Sequence, residues 1–321
     1  MKAIEISEYG TPGDVLKVVE LEEPAEPGAG QVLVQTLFSP VNHHDLFFIQ
    51  GYLAPRDLPT VPGNEGVGRV LQLGEGVDGV AVGDLVIIPL MTGAWRERLL
   101  LSAEGLFPLP DVDPRQLSML GSNTPTAGLM LSEYADVKPG DWVVQDAASG
   151  GVGLNVVAIA KLRGIKTINF VRREDAIEVV RAAGGDVVLI DHPGAADEVR
   201  EATGGAPVKV AIDSVGGSVA QTMLDLLEPG AGFVFYGNAS GEAVDPEADS
   251  VKSKNITVSG IFVGAYDNVS KVVPVIKEAA PLVESGDLRA PIEAVYPLSE
   301  ITAAVEHVER GGKILIQVSE E

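Results

Sequence analysis

The sequence predicts an α/β protein in two parts: a β-rich domain and a six-stranded, doubly wound parallel sheet. Three observations carry that expectation. From about Ser122 onward, apolar strand-like runs alternate with helical runs. A glycine-rich turn, SGGVG (149–153), follows the first of those strands and opens an apolar helix. Residues 1 to about 120 hold strand-like runs bounded by glycine and proline, with no regular alternation. At 321 residues the chain is comfortable for two cores.

In the first part the strand-like runs are QVLVQTLF (31–38), GVGRVLQLG (66–74) and DLVIIPL (84–90). GEGVDGVAVGD (74–84) is dense in turn residues. In the second part the strands are expected at 141–146, 166–171, 186–190, 208–212, 231–236 and 256–261. Between them lie GVGLNVVAIAKLRG, EDAIEVVRAAGG, GAADEVREATGG and GGSVAQTMLDLLEPG, several ending in glycine, a common helix stop. Strands alternating with helices of this length imply a parallel sheet covered on both faces, and right-handed crossovers make it doubly wound. Six strands suit a dinucleotide-binding domain. The tail is read as helical over 267–284 and 298–309, with a strand at 312–318. No internal repeat is visible.

Composition narrows the function classes. Hydrophobic residues make up 45%, and no apolar run approaches the ~20 residues of a membrane span. The first ten residues alternate like a strand and lack a signal-peptide core, which predicts a cytoplasmic protein. Acidic residues number 46 and basic residues 23, a formal charge of −23. Such a surface disfavours nucleic acid, anionic lipid and strongly acidic partners. The absence of cysteine removes disulfides, thiolate metal sites and a cysteine nucleophile.

The glycine turn points to a nucleotide. Gly150, Gly151 and Gly153 let the backbone approach a pyrophosphate, and the helix that starts there aims its free N–H groups at it. A glycine-rich turn alone is weak evidence, and its place in the βα series is what gives it weight. About 20 residues on, where an NAD site would hold an acid, the chain reads NFVRRED. Arg172 and Arg173 suit a 2′-phosphate, and Glu174 is read as an acid in the first turn of the next helix. The segment SPVNHHDLFFIQGYLA (39–54) raises a different question. His43, His44 and Asp45 suggest a metal site or a proton relay, whereas Tyr52 suggests an acid on a loop.

Taken together, VPGNEGVGRV, VKPGDWVVQDAASGGVG, DSVGG and the terminal GGKILIQV resemble the medium-chain dehydrogenase/reductase superfamily over essentially the whole chain. The resemblance implies a GroES-like catalytic domain over 1–121, a Rossmann NADPH-binding domain over 122–264, and a return of 265–321 to the catalytic domain, with the active site between them. The zinc-dependent branch has Cys and His where this chain has Asn42 and Asn64. Asparagine is a poor zinc ligand, so the resemblance is to the zinc-free reductases, and no metal is expected. His43 and His44 are then expected to pack or hydrogen-bond in a short helix.

Within that group VNHHDLFFIQG, PGNEGV, LGSNTPTAG and TINFVRRED are similar to the 2-enoyl thioester reductases. That family's catalytic tyrosine follows the IQG stretch and corresponds to Tyr52, in a loop one residue shorter here. Its cofactor contacts carry over to Asn123, to Ser149, Gly150, Gly151 and Val152, and to Arg172 and Arg173. They carry over also to Tyr236, Gly237, Phe262 and Lys313. The resemblance implies NADPH-dependent hydride addition to the C=C bond of an α,β-unsaturated carbonyl compound, with a small-molecule substrate and a homodimer. The alternatives are an NADPH:quinone oxidoreductase and a non-enzymatic NADPH-binding protein.

Overall fold

The computed structural model describes residues 1–320 as two compact units. Unit one comprises Met1–Ser122 and the chain from Asp267 onward, and unit two is Asn123–Tyr266.

The first stretch of unit one contains β1 (Lys2–Glu5), α1 (Pro12–Val15), β2 (Lys17–Glu20), β3 (Gln31–Val41), α2 (His43–Ile49), β4 (Gly66–Leu73), β5 (Leu85–Ile88), β6 (Arg98–Ser102) and α3 (Pro114–Leu117). Unit two follows with α4 (Asn123–Met130), β7 (Trp142–Gln145), α5 (Gly151–Leu162), β8 (Lys166–Val171), α6 (Asp175–Ala182) and β9 (Val187–Ile190). It continues through α7 (Ala195–Thr203), β10 (Val208–Asp213), α8 (Gly217–Leu226), β11 (Leu227–Phe235), α9 (Asp249–Lys252) and β12 (Thr257–Gly260). The chain re-enters unit one with α10 (Val273–Ser285), β13 (Ile292–Pro297), α11 (Ile301–Arg310) and β14 (Lys313–Gln317).

In unit one the main sheet runs β13-β14-β3-β4-β5, with β6 also on β3. β3 is long enough to serve three neighbours. Its first half pairs with β6, its last residues pair antiparallel with β14, and β4 runs along its other side. The β3–β14 register sets Ile314 opposite Val41. That register brings Lys313 beside Asn42, residues 271 apart in sequence. Ile4, Ile6, Val41, Ile49, Trp95 and Ile314 anchor the core on which α11 packs.

In unit two all six strands are parallel, in the order β12-β11-β10-β7-β8-β9. This is the dinucleotide-fold order, with its reversal between β7 and β10. Val144, Ile168, Phe170, Val210, Ile212 and Phe233 are almost wholly buried, as strands covered on both faces require.

Several elements differ from expectation, among them β2 and β6, strands outside the expected runs. The helix read through residue 230 stops at Leu226, and β11 starts at Leu227. Pro229 cannot extend a helix, and Lys254 Nζ takes the terminal carbonyls of Leu224, Asp225 and Leu227. β13 is an additional strand, IEAVYP, whose residues alternate between half-buried and exposed. The expected helix from 267 begins as a π-helical turn at Asn268–Val272 before α10.

Candidate active site

The turn after β7 is built to bring backbone close to a ligand. Gln145 ends the strand, Asp146 is buried, and Ala147 takes a left-handed φ of 44°. Gly150 then caps α5. A Cβ on Gly153 would lie 2.6 Å from the Ala148 backbone, so only glycine lets the helix pack this tightly on the turn. Ser149, Gly151 and Val152 are half-buried around the opening of α5, whose first N–H groups have no intrahelical acceptor.

Asn123, first residue of α4, is buried, and its Nδ2 has no partner among the described residues. Next to it the Thr124 hydroxyl donates to Asn155 Oδ1 (2.6 Å), and Asn155 Nδ2 donates to the Gly151 carbonyl (2.8 Å). α4 is thereby tied to the first turn of α5. An unused buried donor and a cradle too tight for a Cβ are features of a site that fits a dinucleotide.

The other expected cofactor residues of unit two fall at strand ends. Arg172 and Arg173 follow β8 directly and are exposed. Arg173 pairs with Asp175 (3.1 Å) in the open, a contact that water screens and that costs little to exchange for a phosphate. Glu174, also exposed, caps α6. Tyr236 follows β11 and is half-buried, and burial with the neighbouring Asp146 raises its phenol pKa. A Cβ on Gly237 would lie 2.8 Å from Ser214 Oγ, so only glycine lets the two loops pack this closely. Phe262, just past β12, is 47% exposed.

Lys313 lies in unit one, within a network that the sequence left mostly unread. Its Nζ donates to Asn42 Oδ1 (3.1 Å), and Asn42 Nδ2 donates to Glu65 Oε1 (2.9 Å). Asp45, at the third position of α2, accepts the backbone N–H groups of Asn42 and Asn64, both at 2.8 Å. The first contact closes a capping box that starts the short helix. Burial pushes both Asp45 and Glu65 up to about 7, against the opposing pull of Lys313. Burial also lowers the Lys313 pKa, more than the two acids raise it.

These residues do not fit zinc. Both ends of the Asn42 side chain are committed, and an ammonium contacts it directly. Among the described residues no group of three or more His, Asp or Glu side chains could hold a metal ion. His43 and His44 begin α2, and burial lowers the pKa of both, followed by Lys313 for His43 and Arg56 for His44. Tyr52 lies apart from the network's interior, on the loop after α2. It is 76% exposed, its N–H bonded to the Phe47 carbonyl (2.9 Å) and its ring 6.4 Å from that of Phe47.

Glu65 and Asp146 are the site residues that sequence reasoning missed. GNEG and VQDAA carried the signal, an acid beside a glycine turn, but its burial depends on strands far away in sequence.

Comparison with known proteins agrees with this architecture. Residues 28–145 match the alcohol dehydrogenase GroES-like domain and residues 151–278 match the zinc-binding dehydrogenase family. A mitochondrial enoyl-[acyl-carrier-protein] reductase of Caenorhabditis elegans is 32% identical, covering 96% of this chain and 92% of the relative. A quinone oxidoreductase structure from Pseudomonas syringae is 30% identical, with a TM-score of 0.83 over 98% of this chain and 99% of that one. The mitochondrial 2-enoyl thioester reductase heterodimer of Candida tropicalis, at 24% identity, shares the fold with a TM-score of 0.87 over 98% and 99% of the two chains. The chain belongs to the medium-chain dehydrogenase/reductase superfamily, as a relative of its enoyl thioester reductases.

Proposed function

We propose that this protein is a zinc-free, NADPH-dependent reductase of α,β-unsaturated carbonyl compounds, with 2-enoyl thioesters as the favoured substrates. The observation that carries the reading is the Lys313–Asn42–Glu65 network, which commits to an ammonium and an acid the side chain standing where zinc-dependent relatives have a cysteine. The relatives named as enoyl-[acyl-carrier-protein] reductases support the substrate class.

Bound NADPH supplies the hydride. The α5 N-terminus, Ser149, Gly150, Gly151 and Val152 would hold its pyrophosphate, and Arg172 and Arg173 its 2′-phosphate. Asn123, Tyr236, Gly237, Phe262 and Lys313 complete the proposed contacts. Negative charge develops on the thioester carbonyl oxygen as the β-carbon is reduced. The Tyr52 hydroxyl is exposed, with the freedom to donate a hydrogen bond to that oxygen. It can then pass a proton toward the α-carbon, directly or through water. His43, His44 and Asp45 hold the start of α2 and take no part in the chemistry.

Two points shape the substrate. At −23 the chain repels strongly acidic carriers, which favours coenzyme A thioesters or small enones over carrier-bound acyl chains. Similarity to the Pseudomonas quinone oxidoreductase favours quinones as the second reading. NADPH oxidation across enoyl thioesters, enones and quinones separates them: we expect the highest kcat/KM with an enoyl thioester, and the quinone reading replaces ours if a quinone leads. β12 is an edge strand of its sheet, a template for pairing with a second copy, and we infer a homodimer. Sedimentation at monomer mass would refute it.

A further inference from the structure

We propose that Asp146 and Asp213 share one proton and act as a positioning pair, holding together the two loops that follow β7 and β10. Asp146 comes directly after β7 and Asp213 ends β10, and these strands are neighbours where the strand order reverses. Ligands of such sheets bind outside the carboxyl ends of the strands at that point. Both side chains are buried, at 1% and 2% exposure.

The two acids converge on one turn. Asp146 Oδ1 accepts the Ser214 N–H (2.8 Å), and Asp213 Oδ1 accepts the Gly216 N–H (2.8 Å). The Val215 N–H lies between them, 3.2 Å from Asp146 Oδ2 and 3.3 Å from Asp213 Oδ1. Two carboxylate oxygens drawn onto a single N–H, out of water, repel strongly if both are ionised. A proton between them removes the repulsion and adds a hydrogen bond. Burial, followed by contact with Asp213, pushes Asp146 up to about 9. Tyr236 faces the pair from beyond β11 and stays neutral, its own pKa raised by burial and by Asp146. Glu242 closes the turn from outside, its carbonyl accepting the Gly217 N–H (2.8 Å).

The pair ties down three segments at once. Asp146 leads into Ala147 and the Ser149–Gly151 turn. The Asp213 carbonyl accepts the Tyr236 N–H (2.9 Å), and Ser214 abuts Gly237. These segments carry most of the cofactor contacts proposed for unit two, and the positioning role rests on that reading. The shared proton itself does not.

The test measures melting of the apoprotein and NADPH affinity against pH, for wild type, Asp146→Asn and Asp213→Asn. Because Asp146 is raised in the folded state, its stabilising effect is full below its unfolded value of about 4 and is lost as pH rises through about 9. An amide at either position keeps a hydrogen between the side chains at every pH. We expect the wild-type Tm to fall by several degrees between about pH 6 and 9 relative to either variant. Asp45 and Glu65 titrate identically in all three proteins, so the difference isolates the pair. NADPH affinity should drop about tenfold or more above pH 9 in wild type and hold in Asp146→Asn. Parallel melting profiles in all three proteins overturn the shared proton. Diverging melting profiles with parallel NADPH profiles overturn the positioning role. Failure to bind NADPH at any pH overturns the cofactor reading and the positioning role with it, while the melting profiles still decide the proton.

Discussion

The two units each bury a pair of acids and keep them in different ways. In unit one, Asp45 and Glu65 have an ammonium nearby, Lys313, as well as amide and backbone donors. Burial takes both to about 7. In unit two, Asp146 and Asp213 are held by backbone N–H groups and by each other, and Asp146 rises to about 9. Burial is the leading cause for Asp45, Glu65 and Asp146 alike, so the difference between the pairs follows from the neighbouring charge: a cation in one, a second carboxyl in contact in the other. One unit thus balances its buried charge with a lysine, the other with a proton.

Removing the cation should make unit one behave like unit two. Lys313→Met leaves two buried acids without their ammonium, a change that typically costs about 3–5 kcal/mol when the acids stay ionised. We expect the loss to be largest above about pH 8 and to shrink in acid, where Asp45 and Glu65 take up protons. Urea unfolding at two pH values checks this, and an equal loss at both would show that Lys313 does not balance those acids.

Tyr52 lies outside both networks, and this predicts a purely kinetic effect. Tyr52→Phe should leave the melting temperature unchanged and lower turnover about a hundredfold, the usual cost of one oxyanion donor. Near-normal turnover with saturating NADPH would remove the hydroxyl from the chemistry. His43→Gln and His44→Gln should cost much less.

Much of unit two was readable because its strands are short apolar runs between glycine-ended helices. The run 166–171 matches β8 residue for residue, and 208–212 falls within β10. β13 was not readable because Glu293 interrupts the short apolar run IEAVYP and Pro297 ends it, leaving no clean alternation of apolar and polar residues. The candidate site divides in the same way. SGGVG and the arginine pair announce themselves locally. The Glu65–Asn42–Lys313 contact depends on β3 pairing with the last strand of the chain, and no local pattern encodes that register. Asp146 falls at the end of the expected strand 141–146, and no local pattern shows that β10 brings Asp213 beside it.

The exposed arginines give a milder effect. Changing Arg172 and Arg173 to Ala should weaken NADPH at least tenfold, a loss kept modest because water screens these exposed contacts, and leave NADH little changed. Equal weakening of both cofactors in a binding titration would show that the arginines do not read the 2′-phosphate.

The smallest change is Glu65→Gln, which keeps an acceptor for Asn42 and removes one titration. Glu65 is raised in the folded state, so its contribution is full below about pH 4.5 and lost as pH rises through about 7. The variant's stability should therefore decline less steeply than wild type across that window. An unchanged slope would mean that Glu65 does not titrate there.

Reduction of an activated double bond without zinc is decided by steady-state NADPH oxidation with a short trans-2-enoyl-coenzyme A. Elemental analysis should accompany it, on protein purified without chelator. We predict saturable turnover, far less than one zinc per chain, and rates unchanged after dialysis against chelator. Turnover that required a stoichiometric metal, or no turnover with any enoyl thioester or enone, would contradict it.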